Sequence, residues 1–125
     1  IDSTSGDRVR MITYYVISRC LVVFHLREED FFSSRLKAYR EGRMACYHIL
    51  RKYNEGSYGR MAQQFGQSMR TILYFCHRCD DLLSLPQFNR SFIDRYNLLE
   101  SDTLNFIAKL NIKSNENSQN TGSAT

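Results

Sequence analysis

The chain has 125 residues, 42% of them apolar and 24% charged, with a formal net charge of +4. That balance predicts one domain with enough material for a core. No run of about 18 apolar residues occurs, because Ser18, Arg19 and Cys20 interrupt the stretch 16–24, so no membrane span is expected. The start IDSTSG has neither a signal-peptide layout nor a Met, which reads as a piece of a longer protein. Four cysteines without a secretory signal predict reduced thiols and a cytoplasmic setting. Free Cys behaves mostly as a small buried hydrophobe.

Signals for strands are nearly missing, and the single Pro86 leaves long uninterrupted helical windows. Residues 1–6 are expected to be a flexible start. A first helix is predicted over 7–24, with Val9, Ile12, Val16, Cys20 and Val23 on its apolar face at spacings of three and four. A short helix over 27–32 carries Glu28, Glu29 and Asp30 in its first turn, where acids favour the helix dipole. Ser33-Ser34 breaks it into a loop. The third helix should run from Lys37 or Tyr39 to Tyr53 and stop at Asn54-Glu55-Gly56, residues that tolerate the left-handed conformation.

Ser57 reads as the N-cap of a fourth helix over 58–65. The fifth, 68–83, should bury Ile72, Phe75, Cys76, Cys79, Leu82 and Leu83 and leave Arg70, Leu73, Tyr74, His77 and Arg78 nearer the outside. Leu85-Pro86 marks a break. Two more helices are expected over 87–96 and 101–112, the second capped by Ser101-Asp102. From Lys113 the tail KSNENSQNTGSAT has nothing to anchor it and is expected to be disordered. The prediction is an all-α, compact helical domain over 7–112, with five to seven helices.

The stretch 57–79, SYGRMAQQFGQSMRTILYFCHRC, carries the functional signal. A short helix ends at Phe65-Gly66 and a second begins at once, the pattern of a helix-turn-helix with Gly66 at the tight turn. Gln67, Ser68, Met69 and Arg70 would then lead the helix that enters a major groove. Ahead of it lies a basic stretch: Arg35, Lys37, Arg40, Arg43, Arg51, Lys52 and Arg60, set against only Glu41 and Glu55. Arg35 follows two serines in a loop, from which a guanidinium can reach a narrow minor groove. Arg51, Lys52 and Arg60 suit phosphate contacts that set register. Gln67, Ser68 and Arg70 have donors suited to base edges.

In this order of elements, 8–83 resembles the C-terminal DNA-binding domain of the bacterial replication initiator DnaA, a Trp-repressor-like helix-turn-helix domain. The pieces that carry the likeness are EEDFFSSRLK, REGRMACYHILRKYNEGSYGRMAQQFG and QSMRTILYFCHRC. The family's long helix reads R-Q-hydrophobic-A-M-hydrophobic-L before a Leu/Thr-Asn-x-Ser turn, and Arg43 to Ser57 falls on that pattern without a gap. Its signature Gly-Arg-Asp-His-Ser/Thr-Thr-Val falls on Gly66, Gln67, Ser68, Met69, Arg70, Thr71 and Ile72. Gly66, Thr71 and Ile72 match in kind, whereas the Arg, Asp and His do not. The resemblance therefore implies the fold, and a DNA target other than the family's usual origin boxes. It also implies a minor-groove role for Arg35 and phosphate contacts for Arg51 and Tyr74.

Three other signals compete. Cys76-His77-Arg78-Cys79 looks like half a zinc site, but a structural site needs four ligands and no second Cys pair exists. Arg43 and His48 form the R-x4-H spacing of HEPN-type ribonucleases, in which His48 would be general acid/base and Arg43 a charge stabiliser. A structural His and a surface Arg are the plainer account. The eight Tyr and eight Phe could stack on single-stranded bases, yet most fall at core spacing. No phosphate loop of the GxxxxGK[ST] kind occurs.

The expectation is a non-enzymatic, cofactor-free domain that binds double-stranded DNA, cytoplasmic and nucleoid-associated. Its DNA contacts would be Arg35, Lys37, Arg51, Arg60, Gln67, Ser68, Met69, Arg70, Thr71 and Tyr74. No metal, membrane or small-molecule substrate is expected. The alternative is a helical protein-interaction module that has lost DNA reading, favoured by the replaced Asp and His and by Leu73 beside Met69.

Overall fold

Nine of the 17 residues of α2 (Lys37–Tyr53) are buried, on every side of the helix, as expected of a helix at the centre of a bundle. Around it stand α1 (Ser3–Phe24), α4 (Met69–Leu83) and α5 (Arg90–Ser123), with the short α3 (Tyr58–Phe65) packed on α4 and a 3₁₀ turn at Glu28–Asp30. The structure is a computed structural model. It describes residues 3–54 and 56–123, with side chains from 6–54 and 56–113. Among these residues there is no strand, and the chain is all-α.

The predicted apolar face of α1 is the observed one. Ile12, Val16, Cys20 and Val23 are buried, and Val9 is half-buried. The helix ends on His25 at φ 59°. Leu26 N–H reaches back to the Leu21 carbonyl (2.8 Å) and His25 N–H to that of Val22 (3.3 Å), the paired closure of a Schellman end with His25 where Gly is usual. At Gly42 α2 lies close to α1 and to the residues that follow it: a Cβ there would stand 2.5 Å from Leu26 Cδ1 and 3.5 Å from Cys20 Sγ. The Cys20 thiol donates to the Gly42 carbonyl (3.2 Å).

The sequence differs from the structure mainly at the ends. Helix α1 starts at Ser3 within the stretch expected to be flexible, while Ile1 and Asp2 lie outside the described residues. The acidic segment makes one 3₁₀ turn, shorter than the helix expected over 27–32. The helices expected over 87–96 and 101–112 are one helix, which starts at Arg90 after a turn over 86–88. Ser101-Asp102 caps nothing, because the Asp102 carboxylate pairs with Arg19 of α1 (2.8 Å). Phe92, Tyr96, Leu99 and Thr103 are buried in an unbroken run of fours and threes that carries on into half-buried Phe106, Ile107 and Leu110. The helix continues to Ser123 across the tail expected to be disordered, which holds no helix breaker before Gly122; Ala124 and Thr125 lie outside the described residues.

Polar ties fix the register of the helices. Asn54 donates to Val9 O (3.2 Å) and Thr13 Oγ1 (2.8 Å). Glu100 accepts from Tyr53 Oη (2.7 Å) and Lys52 Nζ (3.0 Å). Burial works to raise the Glu100 pKa, but those two donors outweigh it and hold the carboxyl below its ordinary 4.5. A depressed carboxyl gives stability that is present above its unfolded pKa and lost as pH falls through the folded one. Glu100→Gln should therefore be less stable than wild type at pH 7. The gap should close on acidification below about pH 4.5, in urea melts at stepped pH.

Tyr47 is the largest fully buried side chain, stacked on Phe65 (5.6 Å) and edge-on to Phe75 (5.9 Å), and its hydroxyl has no partner among the described residues. Leaving such a group unmatched costs about 1–3 kcal/mol. Tyr47→Phe should accordingly be neutral to about 1 kcal/mol more stable in the same melts; a clear loss would mean the hydroxyl is matched.

Candidate nucleic-acid interface

Helices α3 and α4 are joined by three residues, Gly66, Gln67 and Ser68. Ser57 starts α3 by accepting the Arg60 N–H at 3.1 Å. Gly66 ends it in the left-handed region (φ 65°, ψ 32°), where an L side chain costs about 1–2 kcal/mol. Both Gly66 N–H and Gln67 N–H (2.9 Å) return to the Ala62 carbonyl. Ser68 then caps α4: its Oγ accepts the Thr71 N–H (3.0 Å) and shares a hydrogen bond with Thr71 Oγ1 (2.8 Å). Buried Met61, Ala62 and Ile72 belong to the same core.

The side chains after the turn protrude unevenly. Met69 is 57% exposed, Arg70 and Ser68 are exposed, and Gln67 and Thr71 are half-buried. Ser68 and Thr71 are engaged with each other at the cap, so the donors foreseen for base edges reduce to Gln67 and Arg70. Tyr74, 49% exposed, rests edge-on against Phe75 (5.7 Å). With Arg70 and Arg78 it forms an i, i+4, i+8 stripe along one side of α4.

Of the predicted cations, Arg35, Lys37, Arg51 and Arg60 are exposed. The Arg51 guanidinium lies 4.8 Å from the Tyr58 ring centroid, at the start of α3. Lys52 is turned to Glu100 on α5. Arg43 is the clear correction: it is 5% exposed and no surface residue. Its Nη1 donates to Phe31 O and its Nη2 to Ser34 O, both at 2.6 Å, and the guanidinium lies 5.4 Å from the Phe75 centroid. Burial lowers its pKa. Phe32 stacks on Phe65 at 5.2 Å. The loop that carries Arg35 is thus tied to α2, and through Phe65 to the residue before Gly66. Nothing in the letters marks Arg43 as internal except its neighbours, since positions 44–47, 49 and 50 are buried with it.

The competing signals separate in space. Arg43 and His48 stand five residues apart, about 140° around a helix. His48 Nδ1 meets Tyr96 Oη (2.6 Å) and its Nε2 meets Asp80 Oδ1 (2.7 Å), so the pair converges on no common site. Cys76 and Cys79 are buried, and burial pushes the Cys76 thiol up to about 11 and Cys79 higher. Cys20 and Cys46 are buried free thiols as well. No protein-family model matches the chain, and no curated protein matches it.

Arg43→Lys keeps the charge but cannot fork to two carbonyls. It should cost about 2 kcal/mol in urea melts, with faster amide hydrogen exchange confined first to 31–36. Unchanged exchange in that loop would mean that the fork does not hold it.

Proposed function

We propose that the chain is a double-stranded DNA-binding domain of the helix-turn-helix kind, similar to the C-terminal domain of DnaA. What supports this most is the turn at Gly66, which leaves Met69 and Arg70 outermost on the first turn of a firmly capped helix. On this reading α4 enters the major groove. Arg70 and Gln67 meet base edges, and Met69 offers apolar contact to thymine methyls. Lys37, Arg51, Arg60, Thr71 and Tyr74 contact phosphates, and Arg35 reaches the adjacent minor groove from its tethered loop. The domain serves replication initiation, or transcriptional or mobile-element control, at the nucleoid and without catalysis.

A second reading has its own support. Met69 and Tyr74 among the proposed contacts, and Leu36 (68% exposed) between Arg35 and Lys37, are large and exposed, and exposed apolar side chains of that size suit a protein partner. A helical interaction module built on the same framework would use them.

Fluorescence polarisation on selected and random duplexes separates the roles. Arg70→Ala should lose about 1–3 kcal/mol of preference for the selected duplex. Arg51→Ala should weaken every duplex alike and lower the log–log salt slope by about one. Equal losses for both variants on all duplexes would remove the role assignment. No saturable binding at low salt would remove the DNA reading in favour of the protein partner.

A further inference from the structure

The first turns of α2 and the second half of α4 border a hollow of about 280 Å³ that the DNA reading touches only at Lys37. Lys37 and Arg40 reach it from α2, Arg78 from α4, with Glu41 as its one acid and Met44 and Leu82 as its apolar lining. Neither Lys37 nor Arg40 has a carboxylate within ion-pair distance among the described residues. Helix geometry explains part of this. Arg40 and Glu41 are adjacent and face apart, and Lys37 precedes Glu41 at i, i+4, the weaker order for a pair. Among the described residues Arg78 has only Asp81, at 3.8 Å, beyond hydrogen-bond contact.

The site is built rather than incidental. Asn89 closes one side, and its Nδ2 donates to Leu82 O (3.2 Å) and Leu85 O (3.0 Å), which fixes the end of α4 beside it. The N-terminus of α2 adds the positive end of a 17-residue helix whose N-cap Leu36 supplies no side-chain acceptor. Three cations less one carboxylate leave +2 around the hollow, the complement of a phosphate monoester at about −1.5 to −2. Two guanidinium groups suit its oxygens as fork donors. The volume lies below the roughly 300–1,000 Å³ of a drug-sized pocket, enough for a phosphoryl group and a small part of what it is attached to.

We infer that this hollow binds a phosphoryl group, held by Arg40 and Arg78 with Lys37 as the third cation and Glu41 setting an upper limit on affinity. The group can belong to a free phosphate ester or to a nucleic-acid backbone, and the charge match favours the dianionic monoester. The inference does not rest on the DNA reading, because a free anion tests it.

The whole ¹⁵N-labelled chain should be titrated with glycerol phosphate, a plain phosphate monoester, at constant ionic strength, following backbone amides and Arg Nε–H signals. Saturable shifts are expected at Arg40, Arg78 and the first turn of α2. Arg78→Gln should weaken binding about tenfold, and Glu41→Gln should tighten it about threefold. Glu28→Gln, the same change of net charge on the 3₁₀ turn, should leave it unaltered. Dimethyl phosphate separates the sources: weaker binding than glycerol phosphate supports a free ester, and equal binding supports a backbone phosphate. Shifts that never saturate, indifference to Arg78→Gln, or equal tightening by Glu28→Gln and Glu41→Gln would overturn the site.

Discussion

The buried guanidinium of Arg43 is the contact on which the candidate interface depends. Moving such a charge out of water is expensive, and it is tolerable only where its donors are matched. Here two donors meet two backbone carbonyls of one loop, Phe31 O and Ser34 O, and Phe75 covers the group at cation–π distance. The charge stays in place because the loop stays in place, and the converse also holds. A loop of this length has ample freedom otherwise. Arg35 follows Ser34 directly, so the fork fixes where that side chain leaves the protein. The Phe32–Phe65 stack sets the same loop against the end of α3, which gives the loop and the α3–α4 turn a common reference.

The rest of the architecture keeps that reference rigid. Arg43 sits on α2, and α2 is held by α1, α4 and α5. Cys46, Tyr47, Ile49 and Leu50 are buried beside it. Asn54 ties its end to α1, His48 bridges α4 and α5, and Lys52 with Tyr53 grips Glu100. The thiols add volume without reactivity, since burial keeps all four protonated well above neutral pH. A central helix fixed by this many neighbours can hold a charge inside, where a peripheral one would rotate it to solvent.

Sequence pattern made the helices legible where a local signal marks their ends. Ser57, Gly66 and Ser68 stand where caps are needed, and α3 and α4 match their expected boundaries to within a residue. Of the inward set read from spacing, Ile72, Phe75, Cys76 and Cys79 are buried, and Leu82 and Leu83 at the helix end are half-buried. Misreadings arose where tertiary contact overrides a local sign. Ser101-Asp102 looks like a cap, yet Arg19 from a distant helix claims the carboxylate, while the periodic run from Phe92 to Leu110 held the better indication of one helix. His25 ends α1 in a conformation usual for Gly, which no residue-type rule would mark. Arg43 is the same lesson in the interior: composition counts it among surface cations, and only its six buried neighbours place it within the core.

The capping of α4 also bears on how far the proposed DNA reading can be specific. Ser68 and Thr71 satisfy one another and the helix start, so their oxygens are partly occupied before any ligand arrives. That stiffens the first turn and removes two hydroxyls from the recognition set. What remains outermost is one guanidinium, one half-buried amide and one thioether. A guanidinium prefers guanine, and a thioether offers only soft apolar contact. Such a surface would discriminate at few positions, so a tight complex would have to draw most of its strength from cations on the flanks. Strength of that origin fades with salt, whereas a protein partner seated on Leu36, Met69 and Tyr74 would hold by apolar burial, which salt does not weaken.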